Sequence, residues 1–483
     1  MNYHQHKFHP TILRAYDIRG IIGTTLSDKD AFAIGLGFAH MIAKRHALSS
    51  PKIVVGYDGR ISSPELAEAL ADGLAQGGAH VVEIGMGPTP MLYFADRALA
   101  CDGAIQITGS HNPKDYNGFK MVCAHQSFYG DDIIALGALM AQGITLPDHQ
   151  PNQLPHQQPN QGSRTKISVF DDYIARLAQD TAPLMGHFVW DTGNGAAGPS
   201  VRALLAQLSG THDLLFEEVD GTFPNHHPDP VDPHTLTFLR EACDASDALC
   251  GLGFDGDGDR LGMIDAKGRQ VPGDILTAFL ALEFLSRRPG EVILFDVKSS
   301  AAAMRLVEQA GGKPQIWKTG HSHMKSRMRQ IGCELAGEMS GHIFIKDGYY
   351  GFDDALYVAV RVLASMAHTG QTITQFMDNL PPSFTSPECR VDCADDIKFD
   401  IMEKLAATAK ARYGNRDVLV IDGIRVQDKS GWWLIRASNT EACLVVRAEG
   451  LDETALDEKI GELTQLLASC SISWDYQPTG ITS

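Results

Sequence analysis

The chain has no uncharged apolar stretch of about 18 residues, so nothing in it reads as a transmembrane span. Its most apolar window, residues 275–285, contains Glu283 and follows Asp274. Met1 to Lys7 offer neither an apolar core nor a cleavage site, and no secretory signal is expected. Zinc spacing is missing as well. Of nine cysteines, Cys389 and Cys393 lie four apart, with no second pair to close a metal site. The expectation is free thiols in a reducing, cytoplasmic setting, with no membrane partner. Positive charge is scarce: 41 Lys and Arg face 59 Asp and Glu, for a net charge of −18. That balance excludes a general nucleic-acid binder, and it obliges any anionic ligand to find a local basic site.

What remains is a globular composition, 44% hydrophobic and 21% charged, over 483 residues. Such a chain is too long for one core and predicts three or four domains. A strand–helix–strand–helix–strand–loop pattern occurs three times. The first copy predicts a strand over 52–56, a helix from Pro64 to Gly77, a strand over 79–84, a helix over 90–99 and a strand over 103–107. The second predicts strands over 187–190, 214–219 and 249–254, with helices over 199–208 and 234–245. The third predicts strands over 292–295, 315–317 and 333–336, with helices over 300–310 and 321–330. This order belongs to parallel α/β layers. The Pro-, Gln- and Asn-rich segment 146–163 reads as a linker, and three prolines in 380–387 mark a second boundary. Beyond them, a helix near 397–413 and strands near 418–421, 432–436 and 442–449 predict a smaller α+β domain. The expected fold is therefore three similar α/β domains with mixed, mostly parallel sheets, plus a C-terminal α+β domain. The domains expected are 1–150, 164–266, 267–380 and 385–483.

Each copy ends in a polar, glycine-containing loop of different chemistry. The first is Thr108-Gly109-Ser110-His111-Asn112-Pro113. Gly109 would permit a tight turn, and Asn112-Pro113 delay re-entry into regular structure. The hydroxyl of Ser110 then stands at a strand's C-terminal end, where open α/β sheets place chemistry. The alternative is a Ser-rich surface turn. The second loop alternates Asp255, Asp257 and Asp259 with glycine, followed by Arg260. Carboxylates this dense repel one another unless a cation sits among them, and hard oxygens favour Mg²⁺ or Ca²⁺. An EF-hand fails, because its sixth position would be Arg260 and its twelfth Ala266. Mg²⁺ is the expected ion, with an acidic turn as the alternative. The third loop, Gly337-Glu338-Met339-Ser340-Gly341-His342, suits sugar hydroxyls or a capped turn. In the C-terminal domain, Arg436-Ala437-Ser438-Asn439-Thr440 and Arg447 make a candidate phosphate cradle, with a Ser/Asn turn as the alternative. Arg14 to Gly20, Tyr57 to Arg60, Lys298 and Trp317 to His321 are weaker candidates, each readable as a surface turn or a solvated side chain.

Together these motifs resemble the α-D-phosphohexomutase family, of the bacterial phosphomannomutase/phosphoglucomutase type. The match runs in order through Arg14 to Gly20, the Ser110 hexapeptide, Tyr116 to Lys120, Asp255 to Arg260, Gly337 to His342 and Arg436 to Glu441. The resemblance implies four domains around a central cleft and a phosphoserine at Ser110. It implies Mg²⁺ held by Asp255, Asp257 and Asp259 with the Ser110 phosphate. Arg19, His111, Lys120 and His342 correspond to residues near the reacting oxygens, and Tyr16, Lys298 and His321 to substrate contacts. Glu338 and Ser340 correspond to sugar-hydroxyl readers, and Arg436, Ser438, Asn439, Thr440 and Arg447 to the site of the phosphate not being transferred. The implied activity is reversible phosphoryl transfer between C1 and C6 of mannose and glucose phosphates, through a hexose 1,6-bisphosphate that also serves as activator. The implied partners are hexose phosphates, and the implied assembly is a monomer or homodimer. Met339 and Gly109 fit the mannose/glucose type; phosphoglucosamine mutases more often carry Gln and Ala there. Phosphoglucosamine mutase is the alternative, and a non-catalytic phosphosugar-binding protein is an alternative of another class. Two departures stand out: Ala442 follows Glu441 where the family commonly has proline, and the 146–163 linker is longer than the type needs.

Overall fold

The computed structural model describes residues 2–146, 162–394, 396–414, 418–438, 442–474 and 476. The bulk of the 146–163 linker lies outside the described residues. The chain divides into two compact units, Met1–Gly273 with Ser340–Thr374, and Asp274–Met339 with Gln375–Ser483.

In the first unit, the first repeat forms a mixed sheet. Strand Lys52–Tyr57 pairs in parallel with His80–Met86 on one side and Gly103–Ile107 on the other. Strand Tyr116–Cys123 then adds antiparallel to Gly103–Ile107, and Ile18–Ile21 adds to Tyr116–Cys123. The second repeat has the same order: Thr211–Leu215, His187–Asp191 and Cys250–Phe254 are parallel neighbours, and Leu261–Asp265 adds antiparallel. The third repeat lies in the second unit, where Lys313–Trp317, Val292–Asp296 and Leu335–Gly337 again place the first strand between the second and the third. In each repeat the strand before the polar loop is buried along its whole length. Strands covered on both faces read as continuous apolar runs, which is why 103–107 and 249–254 stood out.

The structure differs from the sequence reading at identifiable places. The strand expected at 214–219 runs over Thr211–Leu215 and stops where Phe216 takes φ 52°. Strand Ser163–Lys166, just past the linker, pairs in parallel with His80–Met86 and so extends the first sheet rather than opening the second domain. Helices Asp28–His46, Gly273–Arg287 and Ala355–Thr369 carry no expectation from sequence.

The C-terminal region is an antiparallel sheet ordered Phe384–Thr385, Cys443–Gly450, Gly431–Ala437, Ile424–Gln427 and Val418–Leu419, with Cys389–Asp392 also on Cys443–Gly450. Helices Lys398–Tyr413 and Glu453–Ala468 bury Leu405, Ala409, Leu463 and Leu467 against Trp433, Ile435, Leu444 and Val446. The fold is therefore three mixed, mostly parallel α/β sheets plus an α+β domain.

Helix Ala355–Thr369 is anchored by Asp354, whose buried side chain accepts from the Tyr357 N–H at 3.0 Å. The hydroxyls of Tyr173 and Tyr349 also donate to it, at 3.1 and 2.8 Å, and Tyr349 stacks on Tyr357. Burial pushes the Asp354 carboxyl up to about 6, despite these three donors. Tyr173 and Tyr349 are pushed up as well and stay neutral. Between the unfolded value near 3.8 and the folded value near 6, the folded state holds the extra proton, so Asp354 costs stability as pH rises through this window. Asp354→Asn removes that titration. The melting temperature of the unmutated protein minus that of the variant is expected to fall between about pH 4 and 6.5; a flat difference would refute the assignment.

Candidate active site

Ser110 follows the first repeat's third strand, Gly103–Ile107, and adopts φ 48°, a left-handed conformation rare for a residue with a Cβ. The turn chemistry expected of Gly109 thus falls on Ser110 itself. Gly109 is needed for a different reason: a Cβ there would meet Arg60 Nε at 2.3 Å and the Tyr116 carbonyl oxygen at 2.8 Å. Arg60, a weaker candidate that is also readable as part of a surface turn, is 2% exposed and clamps the loop. Its Nη1 donates to the carbonyls of Pro113 and Tyr116 at 2.6 and 3.0 Å, and its Nη2 to those of Ser110 and Asn112 at 2.7 and 2.6 Å. Asp58 pairs with Arg60 at 3.3 Å and accepts the Gly109 N–H at 3.0 Å. A guanidinium shared among four carbonyls and a carboxylate holds a strained turn in one geometry.

The Ser110 hydroxyl donates to Asp255 Oδ2 at 2.7 Å and lies 3.2 Å from His111 Nδ1. Burial, then the cations of Arg260, Arg19 and Lys120, push His111 well below its ordinary range, so its imidazole is neutral. Arg19 braces the same loop, donating to the Gly109 carbonyl at 3.2 Å and to Asn112 Oδ1 at 2.9 Å, and pairing with Asp17 at 2.5 Å. Tyr16 is half-buried in the segment leading to Ile18–Ile21.

Gly256, between the first two aspartates, lets the two loops touch: a Cβ there would sit 2.6 Å from the Ser110 carbonyl oxygen. Asp255, Asp257 and Asp259 are fully buried, with ligand oxygens within 4.8 Å of one another. Lys120 donates to Asp257 Oδ2 at 2.7 Å and also to Asp259. Thr89 donates to Asp257 Oδ2 at 2.5 Å from the start of helix Thr89–Ala98. Burial and its acidic neighbours push Asp255 well above the carboxylate range, and burial and Asp257 raise Asp259. Burial also acts against Asp257, but Lys120 outweighs it and holds that carboxyl below its ordinary range. One lysine thus faces three carboxylates. Asp257 Oδ1 and Asp259 Oδ1 are buried and accept no hydrogen bond from a described residue. A divalent cation with oxygen preference would supply the missing positive charge and use these free acceptor atoms.

His342 completes this cluster. Arg260 Nε donates to its Nε2 at 3.0 Å, and its Nδ1 faces Asp353 at 3.2 Å and Asp259 at 3.6 Å. Ser340, two residues earlier, is half-buried. Ser110, His111, Arg19, Lys120, His342 and the three aspartates are therefore brought together within the first unit.

The second unit gathers another group. Glu338 is buried and accepts the Gly320 N–H at 2.5 Å, fixing the turn before His321, which opens helix His321–Ile331. Lys298 follows strand Val292–Asp296 and pairs with Glu388 at 3.2 Å. Arg436 pairs with Asp422 at 3.2 Å, and Arg447 contacts Met339 Sδ and the Lys298 carbonyl. Ser438 is buried, and its carbonyl accepts from the buried Lys398 Nζ at 2.6 Å. Asn439 and Thr440 lie outside the described residues.

Profiles of phosphoglucomutase/phosphomannomutase alpha/beta/alpha domains I, II and III match residues 10–136, 171–268 and 272–384, and the profile of the C-terminal domain matches 388–463. A phosphomannomutase/phosphoglucomutase of Pseudomonas putida is 42% identical over 461 residues, 95% of this chain and 96% of that protein. The chain belongs to the phosphoglucomutase/phosphomannomutase family. It is an enzyme of the hexose-phosphate mutase class. A phosphoglucomutase of Neisseria gonorrhoeae is 39% identical, covering 92% of this chain and 94% of its own. A crystal structure of a phosphoglucomutase/phosphomannomutase family protein from Burkholderia thailandensis superposes with TM-score 0.86 at 38% identity, over 97% of this chain and 100% of that one. Membership and the buried acidic triad together point to a metal ion. Among the described residues, no helix is long and apolar enough to cross a membrane.

Several participants carry no signal in the sequence reading. Thr89 and Asp353 lie outside every motif, and Lys398 merely opens a helix. Arg60 was visible only as part of a turn, although an Asp-Gly-Arg run after a strand end could have marked it for closer reading.

Proposed function

We propose that this phosphohexomutase interconverts the 1- and 6-phosphates of mannose and glucose through a phosphoserine at Ser110. The observation that carries this reading is the Ser110 hydroxyl, held in a strained turn 2.7 Å from Asp255 of a three-carboxylate cluster and beside Lys120. A serine that merely helped to bind sugar would need neither the clamp nor the adjoining acidic loop.

In this reading Asp255, Asp257 and Asp259 hold Mg²⁺, which would neutralise charge on the phosphoryl oxygens. Ser110 gives its phosphoryl group to the free C1 or C6 hydroxyl of a hexose monophosphate: the Oγ–P bond breaks, a P–O bond to the sugar forms, the sugar hydroxyl proton passes to a base, and Ser110 Oγ takes up a proton to become a hydroxyl. His342 is the proton acceptor we assign. Asp353 at Nδ1 favours the tautomer with its lone pair on Nε2, which the Arg260 Nε–H occupies in the free protein and must yield to the sugar hydroxyl; burial notwithstanding, Lys120 is held charged by Asp257 and Asp259. The hexose 1,6-bisphosphate reorients, and its other phosphate returns to Ser110. Lys120, Arg19 and Arg260 offset the negative charge of the transferring group. Tyr16, His321, Glu338 and Ser340 contact the sugar, and Lys298 contacts the phosphate that stays. Arg436, Ser438, Asn439, Thr440 and Arg447 hold the phosphate that stays. The free thiols of all nine cysteines fit a cytoplasmic enzyme.

The deciding experiment is a coupled assay with mannose 1-phosphate, glucose 1-phosphate and glucosamine 1-phosphate side by side, with catalytic hexose 1,6-bisphosphate. Turnover of the first two is expected to exceed that of the third. Preference for the glucosamine ester would overturn the substrate assignment, and no turnover of any would overturn the reading.

A further inference from the structure

The second unit places its cations beside two carboxylates that no motif includes. Lys298 Nζ lies 3.2 Å from Glu388 Oε2, and Arg436 Nη2 lies 3.2 Å from Asp422 Oδ2. Arg447 lies in strand Cys443–Gly450, two residues past Val445, the partner of Arg436 across the sheet, so the two arginines share a face. Arg447 Nη1 also reaches the Lys298 carbonyl at 3.4 Å. Burial opposes ionisation of Glu388, but Lys298, Arg436 and Arg447 together hold its carboxyl below the ordinary range. Asp422 has a second partner, the Thr319 N–H at 3.2 Å, next to the Gly320 turn that Glu338 fixes.

The exposures differ in a telling way. The side chains of Lys298 and Arg436 are 14% and 13% exposed, whereas those of Glu388 and Asp422 are 32% and 20%. The carboxylates are the more solvated members of each pair. They can be turned out to water at lower cost than the cations they cover.

We propose that Glu388 and Asp422 are resident counter-ions of the phosphate-binding cations, displaced from Lys298 and Arg436 when a substrate phosphate arrives and restored when it leaves. This rests on the reading of Lys298, Arg436 and Arg447 as phosphate ligands given above. A half-buried cluster of three cations without anions is costly in the free protein, and two carboxylates remove that cost. They also compete with the ligand, which weakens phosphate binding. A mutase needs that competition more than an ordinary enzyme does. Its bisphosphate must let go of this cradle once per turnover to present its other end, and a cradle of cations alone would hold a dianion too firmly. Glu388 and Asp422 are therefore affinity-setting residues rather than catalytic ones.

Glu388→Gln and Asp422→Asn preserve size and, at 422, an oxygen to accept the Thr319 N–H, while removing the charge. The measurement is calorimetric binding of glucose 1-phosphate in a Ser110→Ala background, where no transfer occurs, together with kcat and KM in the Ser110 enzyme. Each carboxamide variant is expected to bind about three- to ten-fold more tightly, with a lower KM and a lower kcat as release slows. A merely structural ion pair predicts unchanged or weaker binding with a lower melting temperature, and that result would overturn the proposal. If Glu388→Gln does not fold, Asp422→Asn decides by the same criterion. Arg436→Ala in the same titration separates two failures. If it leaves binding unchanged, the phosphate site is misassigned and the counter-ion reading falls with it. If it weakens binding while neither carboxamide variant tightens it, the counter-ion reading alone falls.

Discussion

Ser110→Ala is expected to lower kcat/KM by on the order of 10⁴-fold or more, the scale on which loss of a catalytic nucleophile is felt. The backbone around it should change little. Arg60 binds the loop through carbonyls of Ser110, Asn112, Pro113 and Tyr116, and none of those bonds uses the serine side chain. Alanine meets the same left-handed φ with a Cβ of the same kind, so the turn is no more strained than before. The hydroxyl's contacts to Asp255 and His111 are lost, and with them the phosphate acceptor. Intact-mass analysis supplies the companion result. The unmutated protein is expected to show a fraction about 80 Da heavier, one phosphoryl group, mapping to Ser110 and lost on incubation with glucose 6-phosphate. Ser110→Ala should show no such fraction. Near-normal turnover in the variant, or a heavier species mapping elsewhere, would remove Ser110 from the reaction.

Asp257→Ala is expected to abolish measurable turnover at every Mg²⁺ concentration, a loss of at least about 10³-fold. The Asp257 side chain is held by Lys120 at 2.7 Å and Thr89 at 2.5 Å. Its backbone carbonyl also accepts the Thr89 N–H at 2.8 Å, so the loop stays tied to helix Thr89–Ala98 when the side chain is cut back. Asp257→Asn is the finer probe, since it keeps the volume and an acceptor for Thr89. It leaves two carboxylates and Lys120 where three carboxylates stood, and the cluster loses most of its attraction for a divalent cation. Activity and a melting curve are to be followed across a Mg²⁺ titration. A folded Asp257→Asn protein with normal activity would exclude the triad as the metal site.

Much of the architecture was legible because it is written in local patterns. The repeat stood out since the strands before Ser110 and Asp255 are covered on both faces and so are uninterrupted apolar runs, while their loops are polar and rich in glycine. The same logic hid helix Ala355–Thr369. Eleven of its residues from Ala355 to Met366 are buried, so its surround is apolar on nearly every side and no helical period marks it. Strand Ser163–Lys166 was illegible for the opposite reason: its residues are mostly exposed, it has little apolar character, and only its parallel pairing with His80–Met86 makes it a strand.

The site divides along the same line. The identities of Ser110, of Asp255, Asp257 and Asp259, and of Glu338 to His342 follow from short motifs, because the chemistry of a loop resides in consecutive residues. Their mutual arrangement does not. Lys120 reaches Asp257 across 137 positions, Ser110 reaches Asp255 across 145, and Arg60 reaches the Ser110 carbonyl across 50. Contacts at such separations have no period or spacing for a sequence to display. By itself, then, the sequence of this protein determined which groups its loops carry and that three alike domains present them. Tertiary structure alone decided that glycine at 109 makes room for Arg60, that Lys120 shares its charge between two aspartates, and that Glu388 and Asp422 cover the cations of the second unit. Burial and charge pairing are properties of neighbours in space, and only the folded chain selects them.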